Sequence, residues 1–265
     1  MISLLPSGLS LSYDEVGRGV PVLFIHGWPH NRTLWAGQLS GLATQAHCIA
    51  PDLRGFGESS VCGPWSIEQY ADDLAALLKA RGIERAAVCG LSMGGYVALA
   101  LLRRHRPLVR ALILASTRAA ADTADARAKR AVLIEFVEQH GVDALANRQL
   151  RAMLGATTFD SRPSVRESLR QMMAAAPPAG VIGALRAMAE RPDASDLLPT
   201  IDIPTLVVAG AEDGFTPPDE LRAMAAQIPR SRFELLAGGG HVCAYERPAA
   251  FNHVVGEFMS ALPLD

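Results

Sequence analysis

The chain has 265 residues, 49% of them hydrophobic and 20% charged, which excludes the polar compositions that stay unfolded and leaves enough chain for a well-buried core. Its 25 Lys and Arg against 27 Asp and Glu give a formal charge of −2, so no basic field concentrates phosphate backbones and nucleic acid is not an expected partner. The longest fully apolar run, residues 97–102, falls far short of the roughly 18 to 20 residues that cross a bilayer, so no membrane partner is expected.

Residues 1–13 lack a basic stretch followed by a long apolar one and alternate like a strand, which predicts no signal peptide and a cytoplasmic location. The four cysteines, Cys48, Cys62, Cys89 and Cys243, show no C-x-x-C spacing. They are expected to be reduced thiols, with Cys48 and Cys89 acting as small hydrophobes in strands and Cys243, two residues after His241, as a packing thiol that could also line the site.

Along the chain, short apolar runs alternate with longer ones of helical period, the pattern of βαβ units. Strands are predicted at residues 9–13, 20–25, 48–50, 86–89, 111–115, 205–209 and 233–236. Most are continuously apolar, as in a mostly parallel sheet covered by helices on both faces. A helix over 66–81 opens with Ser66 and Gln69 at capping-box spacing and stops at Gly82. Another over 93–105 ends in the basic run Arg103, Arg104, His105, Arg106 before Pro107. Asp52 and Arg54 read as a pair stabilising the turn after the third strand.

Residues 118–198 break the rhythm with helical patterns at 124–139, 142–154, 164–175 and 179–189, separated by Gly141, Gly155, Pro163 and Pro177-Pro178. So long a helical excursion between two strands predicts an inserted all-helical cap, residues 118–198, on an α/β core of residues 1–117 and 199–265. Its methionines Met153, Met172, Met173 and Met188 are expected mainly to pack. Of Arg118, Arg127, Lys129, Arg130, Arg148 and Arg151, mostly solvated by expectation, one could meet a substrate carboxylate.

Gly90-Leu91-Ser92-Met93-Gly94 lies between a strand and an apolar helix. That is the context in which a serine is projected from a sharp turn, with Gly90 and Gly94 letting strand and helix approach. A serine hydroxyl needs a base, and the base needs a carboxylate to fix its tautomer. Asp213 follows one predicted strand and His241 another, in a glycine-rich loop. Both therefore fall beyond strand carboxyl ends, where open α/β sheets bind ligands. Backbone N–H groups of Met93, at a helix N-terminus, and of Trp28, in the loop His26-Gly27-Trp28-Pro29, are the expected oxyanion donors. Gly27 lets that loop come close. His26 is expected to organise it through hydrogen bonds; His30 could lie near the pocket mouth and is assigned no role. His47, His105, His140 and His253 are assigned structural roles, and no histidine spacing suggests a metal.

These motifs resemble those of the α/β-hydrolase fold superfamily over nearly the whole chain. His26 to Pro29 is similar to its oxyanion loop, residues 52–59 to the turn after its third strand, 90–94 to its nucleophile elbow, 210–218 to its acid-bearing turn, and 240–248 to its histidine loop. Within it the chain resembles the serine branch of carboxylesterases, 3-oxoadipate enol-lactonases, C–C bond hydrolases and cofactor-free haloperoxidases or perhydrolases. Ser92 stands where dehalogenases and epoxide hydrolases carry aspartate.

The expected protein is a cofactor-independent serine hydrolase that cleaves carboxylic esters or lactones through an acyl-enzyme, with Ser92, His241 and Asp213 as its triad. Its partner is a small-molecule substrate, and it is a monomer or homodimer. The alternatives are a 3-oxoadipate enol-lactonase, with perhydrolase side activity, and, from a different class, a ligand-sensing signalling protein on the same fold.

Overall fold

A computed structural model describes residues 1–5 and 7–262. In chain order it runs β1 (Ile2–Leu4), β2 (Ser10–Val16), β3 (Val20–Ile25), α1 (Ala36–Leu42), β4 (Ala46–Pro51), α2 (Ile67–Ala80), β5 (Ala86–Leu91), α3 (Met93–His105) and β6 (Val109–Ala115). Then follow α4 (Ala124–Met153), α5 (Ala156–Ser161), α6 (Pro163–Ala174), α7 (Pro178–Glu190), β7 (Thr205–Gly210), α8 (Pro218–Ala225), β8 (Ser231–Leu236), α9 (Cys243–Glu246) and α10 (Pro248–Ser260). The strands form one sheet ordered β1-β2-β4-β3-β5-β6-β7-β8. β1/β2 and β2/β4 pair antiparallel and the rest parallel.

The continuous apolar runs are the central strands: every residue of β5 and of β7 is buried, because helices cover both faces. β8, at the edge, is partly exposed. The chain leaves β3 for β4 on one side and returns to β5 on the other, so the crevice at their carboxyl ends is the topological switch point where such sheets bind ligands.

Ser66 caps α2, its Oγ accepting from the Gln69 N–H at 3.0 Å. The reciprocal half of the expected capping box is absent: the Gln69 side chain turns to Asp73 instead. α3 has the predicted bounds and ends in Arg103, Arg104 and His105, of which Arg104 and His105 both reach Asp72 on α2. The two helical patterns at 124–139 and 142–154 form one helical stretch broken by Gly141, whose φ of 78° is non-helical.

Six elements escaped the periodicity reading. β1 is three residues of antiparallel edge, α5 and α9 are helices of only six and four residues, and α1, α8 and α10 cover the sheet in stretches whose Gly, Pro or charged residues blur the helical pattern. The expected pair Asp52–Arg54 does not form. Asp52 accepts from the Arg32 and Glu58 backbone N–H groups and pairs with the Arg32 guanidinium, whereas Arg54 forms a bidentate bridge to Asp73 on α2. Among the described residues no single helix is long and apolar enough to cross a membrane.

Candidate active site

Ser92 connects β5 to α3 with φ 55° and ψ −117°, a conformation that costs a non-glycine residue about 1–3 kcal/mol. The surroundings impose it. A Cβ at position 90 would run into the Gly94 carbonyl and one at position 94 into the Ile25 carbonyl, so strand and helix pass too closely for any side chain. The Ser92 N–H donates to the Ala115 carbonyl on β6 at 2.9 Å, and the Thr117 hydroxyl donates to the Ser92 carbonyl at 2.8 Å.

The Ser92 hydroxyl donates to His241 Nε2 at 2.8 Å. On the other side of the ring, Nδ1–H faces both Asp213 oxygens, at 3.1 and 3.0 Å, which fixes the tautomer that leaves Nε2 free to accept. Asp213 lies in the turn after β7, where its Oδ1 also accepts from the Phe215 and Thr216 N–H groups at 2.9 Å. Burial alone would raise its carboxyl. The facing His241, the Thr216 N–H and Ser116 outweigh that and hold it below the ordinary aspartate value. The ring of Phe215 lies 5.0 Å from that of His241.

Beside Ser92, the backbone N–H groups of Met93 and Trp28 donate to no acceptor among the described residues. Met93 opens α3, where N–H groups have no intrahelical partner and the helix dipole is positive. His26 holds the Trp28 loop as expected: its Nδ1–H donates to the Gly27 carbonyl at 2.9 Å and its Nε2 accepts from the Leu53 N–H at 3.0 Å. Burial pushes its pKa down, so the ring is neutral and its tautomer is set by these two bonds. Gly27 backs directly onto Leu91 and Ser92.

His30 is not at a pocket mouth. It is fully buried, neither ring nitrogen has a partner among the described residues, and burial together with His26 and His241 pushes its pKa down to about 3. His47, His105 and His253 pair with Glu15, Asp72 and Glu257, and the His140 ring packs on Phe136. The four cysteines are free, with Cys243 buried beside Ser116 Oγ at 3.8 Å.

The helical segment closes over this end of the sheet. A cavity of about 160 Å³ borders Ser92 and His241 and is walled by Trp28, Leu133, Met153, Met188 and Phe215. Met153 and Met188 therefore reach the cavity, while Met173 is buried away from it. Of the six cations considered, Arg118 and Arg130 reach the wall. Arg118 donates to the Phe215 carbonyl and pairs with Glu220. Arg130 pairs with Asp122, which also holds the buried Arg191, so two guanidiniums share one carboxylate beside the cavity.

Glu246, named in the sequence only as part of the histidine-loop motif, stitches the helical segment to that loop. Fully buried, it accepts from the Gly240 N–H at 2.7 Å and the Gly155 N–H at 2.9 Å. Burial raises its carboxyl pKa. Met153 and Val242 add a backbone bond across the same seam.

A serine, histidine and aspartate joined in this order across the carboxyl ends of a parallel sheet mark a recognised class of α/β proteins. The chain belongs to the alpha/beta hydrolase fold family, whose model matches residues 20–248, and it is a hydrolase of that fold. A 3-oxoadipate enol-lactonase of Acinetobacter baylyi is 30% identical over 260 residues, covering 97% of this chain and 96% of its own length. A thermophilic esterase from Thermogutta terrifontis, solved with malate bound, superimposes with a TM-score of 0.95 at 39% identity, covering 99% and 98% of the two chains. The enol-lactonase from Burkholderia xenovorans LB400 gives a TM-score of 0.90 at 27% identity, covering 98% and 100%.

Proposed function

We propose that the protein cleaves carboxylic esters or lactones through an acyl-enzyme, with Ser92 as nucleophile, His241 as base and then acid, and Asp213 as the group that orients and stabilises the histidine. The observation that carries this reading is the continuous relay from Ser92 Oγ through His241 to Asp213, with separations of 2.8 and 3.0 Å, on a strained elbow beside two uncommitted N–H groups.

Ser92 Oγ attacks the substrate carbonyl carbon as its proton passes to His241 Nε2, and the imidazolium is held by Asp213. The carbonyl oxygen takes up the negative charge and is met by the N–H groups of Trp28 and Met93. Collapse breaks the ester C–O bond, and the departing oxygen takes the proton from His241. Water then gives a proton to His241 and its hydroxyl to the acyl carbon, which frees the acid and restores Ser92.

In this reading residues 118–198 are a cap. Their apolar contributions, Leu133, Met153 and Met188, suit short to medium acyl chains. A second reading, a substrate that carries a carboxylate besides the scissile ester or lactone, has its own support in Arg118 and Arg130 at the cavity wall. The named activity of the Acinetobacter relative and the malate in the Thermogutta esterase point the same way.

The test is hydrolysis of p-nitrophenyl esters of increasing acyl length beside neutral lactones and a carboxylate-bearing enol-lactone, with wild type and Ser92→Ala. Serine-dependent turnover of neutral esters supports the first reading, and turnover confined to the anionic lactone supports the second. Wild-type turnover that survives in Ser92→Ala, or none on any substrate, overturns the mechanism, and the latter outcome favours a sensor.

A further inference from the structure

Among the described residues, Phe215 is the one exposed large hydrophobic that is aromatic, and the one that borders the cavity over Ser92. It is 39% exposed, yet its backbone is fixed on both sides. The N–H donates to Asp213 Oδ1 at 2.9 Å, and the carbonyl accepts from the Arg118 guanidinium at 2.6 Å. Arg118 is tied in turn to Glu220. The acid-bearing turn thus presents an apolar ring from a rigid base. Single exposed hydrophobics are ordinary on protein surfaces, but this ring lies 5.0 Å from the ring of His241, tilted to it by 59°.

Once Ser92 Oγ has bonded to the carbonyl carbon, three substituents remain to be placed. The oxygen that takes the negative charge goes to the Trp28 and Met93 N–H groups. The departing alcohol oxygen has to come within hydrogen-bond reach of His241 Nε2 to take its proton, and the acyl chain takes the direction left over. The alcohol moiety is thereby set against His241, and Phe215 is the apolar side chain that flanks it there. An apolar alcohol covers part of the exposed ring and removes that surface from water, and an aromatic alcohol adds ring–ring contact. Because the backbone of Phe215 is already held, the contact orders no loop.

We infer that Phe215 determines specificity for the alcohol half of the ester, selecting an alcohol with an apolar, aromatic body over a small one. The inference rests on the acyl-enzyme reading of esters and adds to it which half of the substrate this residue meets.

The test compares benzyl and methyl esters of one acid, the acid that the p-nitrophenyl series favours, on wild type, Phe215→Ala and Phe215→Leu. Both esters form the same acyl-enzyme and their alcohols have similar acidity, so the benzyl-to-methyl ratio of kcat/KM reads the alcohol side alone. Both substitutions keep the two backbone bonds of residue 215, and thermal unfolding first establishes that the variants fold. The expected result is a ratio that falls at least about fivefold in Phe215→Ala and by less in Phe215→Leu, with the methyl ester within about twofold of wild type. A smaller fall in Phe215→Ala overturns the inference. So does an equal loss on both esters, which would show that the ring supports His241 instead of meeting the alcohol. Ser92→Ala on the same esters separates the two readings. Turnover that survives it, no turnover by wild type, or turnover confined to lactones, from which no separate alcohol departs, removes the ester reading and this inference with it. Serine-dependent turnover with an unchanged ratio overturns this inference alone.

Discussion

The elbow and the helical segment that covers it are held in place by different kinds of force. At the elbow the determinants are backbone atoms: β5 is buried at every position, Gly90 and Gly94 lie against carbonyls, and Ser92 is forced into a left-handed conformation. Residues 118–198 meet the core chiefly through side chains, beside the Val242–Met153 backbone bond. Glu246 reaches Gly155, the Trp28 indole reaches Val181, and Arg118 donates to the Phe215 carbonyl. A backbone-built site tolerates almost no change in geometry, whereas a seam made of side chains can be rewritten one residue at a time. Attacking chemistry at the first and selectivity at the second is the division of labour this contrast suggests, and substitutions on either side of the seam can break it.

The largest effect is expected from Ser92→Ala, which leaves the elbow's packing intact and removes the proposed nucleophile. kcat should fall about 10⁴- to 10⁶-fold with an unfolding temperature close to wild type. Activity within tenfold of wild type would remove Ser92 from the chemistry. Asp213→Asn comes next. The amide oxygen can still accept from the Phe215 and Thr216 N–H groups, so the turn survives, but a neutral amide neither fixes the His241 tautomer nor stabilises its cation. A loss of about 10⁴-fold in kcat is expected. If steady-state kinetics instead return a nearly wild-type kcat, the acid lies elsewhere.

Asp122→Asn tests the covering segment, and its effect should be on stability. Burial works against the Asp122 charge, yet Arg130 and Arg191 hold its carboxyl below the ordinary value. Its contribution is therefore present above the unfolded aspartate pKa and is lost as pH falls through the lower folded one. Asparagine leaves two guanidiniums sharing no carboxylate, one of them 3% exposed, and a loss of about 3 kcal/mol at neutral pH is expected. Because asparagine does not titrate, urea unfolding of the two proteins should converge in acid. Curves that stay parallel from neutral pH into acid would show that the carboxylate charge does not stabilise the segment.

The same contrast governs what could be read from the sequence. β3 and α3 have the predicted bounds, because continuous apolar runs and end signals are local. Ser92, His241 and Asp213 are legible for the same reason: each sits in a turn just after a strand, and the parallel sheet brings those turns to one edge. Asp52 and Arg54 are two positions apart on the chain yet pair with Arg32 and Asp73, because residues so close in a turn need not face each other. Glu246 falls in the histidine-loop motif, and its partner Gly240 and the Arg130 partner of Asp122 are six and eight residues away. Their bonds to Gly155 and Arg191, 91 and 69 residues away, carry no local signal, and only the packing of the helical segment reveals them. His30 follows a motif-like loop, yet the structure buries it.

The smallest effect is expected from Trp28→Phe, which divides the two regions within one residue. Trp28 borders the cavity over Ser92 and its backbone N–H has no acceptor among the described residues, while its indole Nε1–H donates to the Val181 carbonyl on α7 at 3.1 Å. Phenylalanine keeps the backbone donor and most of the buried ring but removes the cross-seam hydrogen bond. The Val181 carbonyl lies in the first turn of α7 and keeps the helical N–H four residues on, so the penalty falls at the low end for a lost bond, about 1 kcal/mol. If the backbone sets the chemistry and side chains set the fit, KM should rise about two- to fivefold while kcat stays within a factor of about two. A tenfold fall in kcat at unchanged KM would show that this side-chain contact holds the Trp28 loop in register with Ser92, so that the covering segment belongs to the catalytic geometry and the two regions cannot be separated.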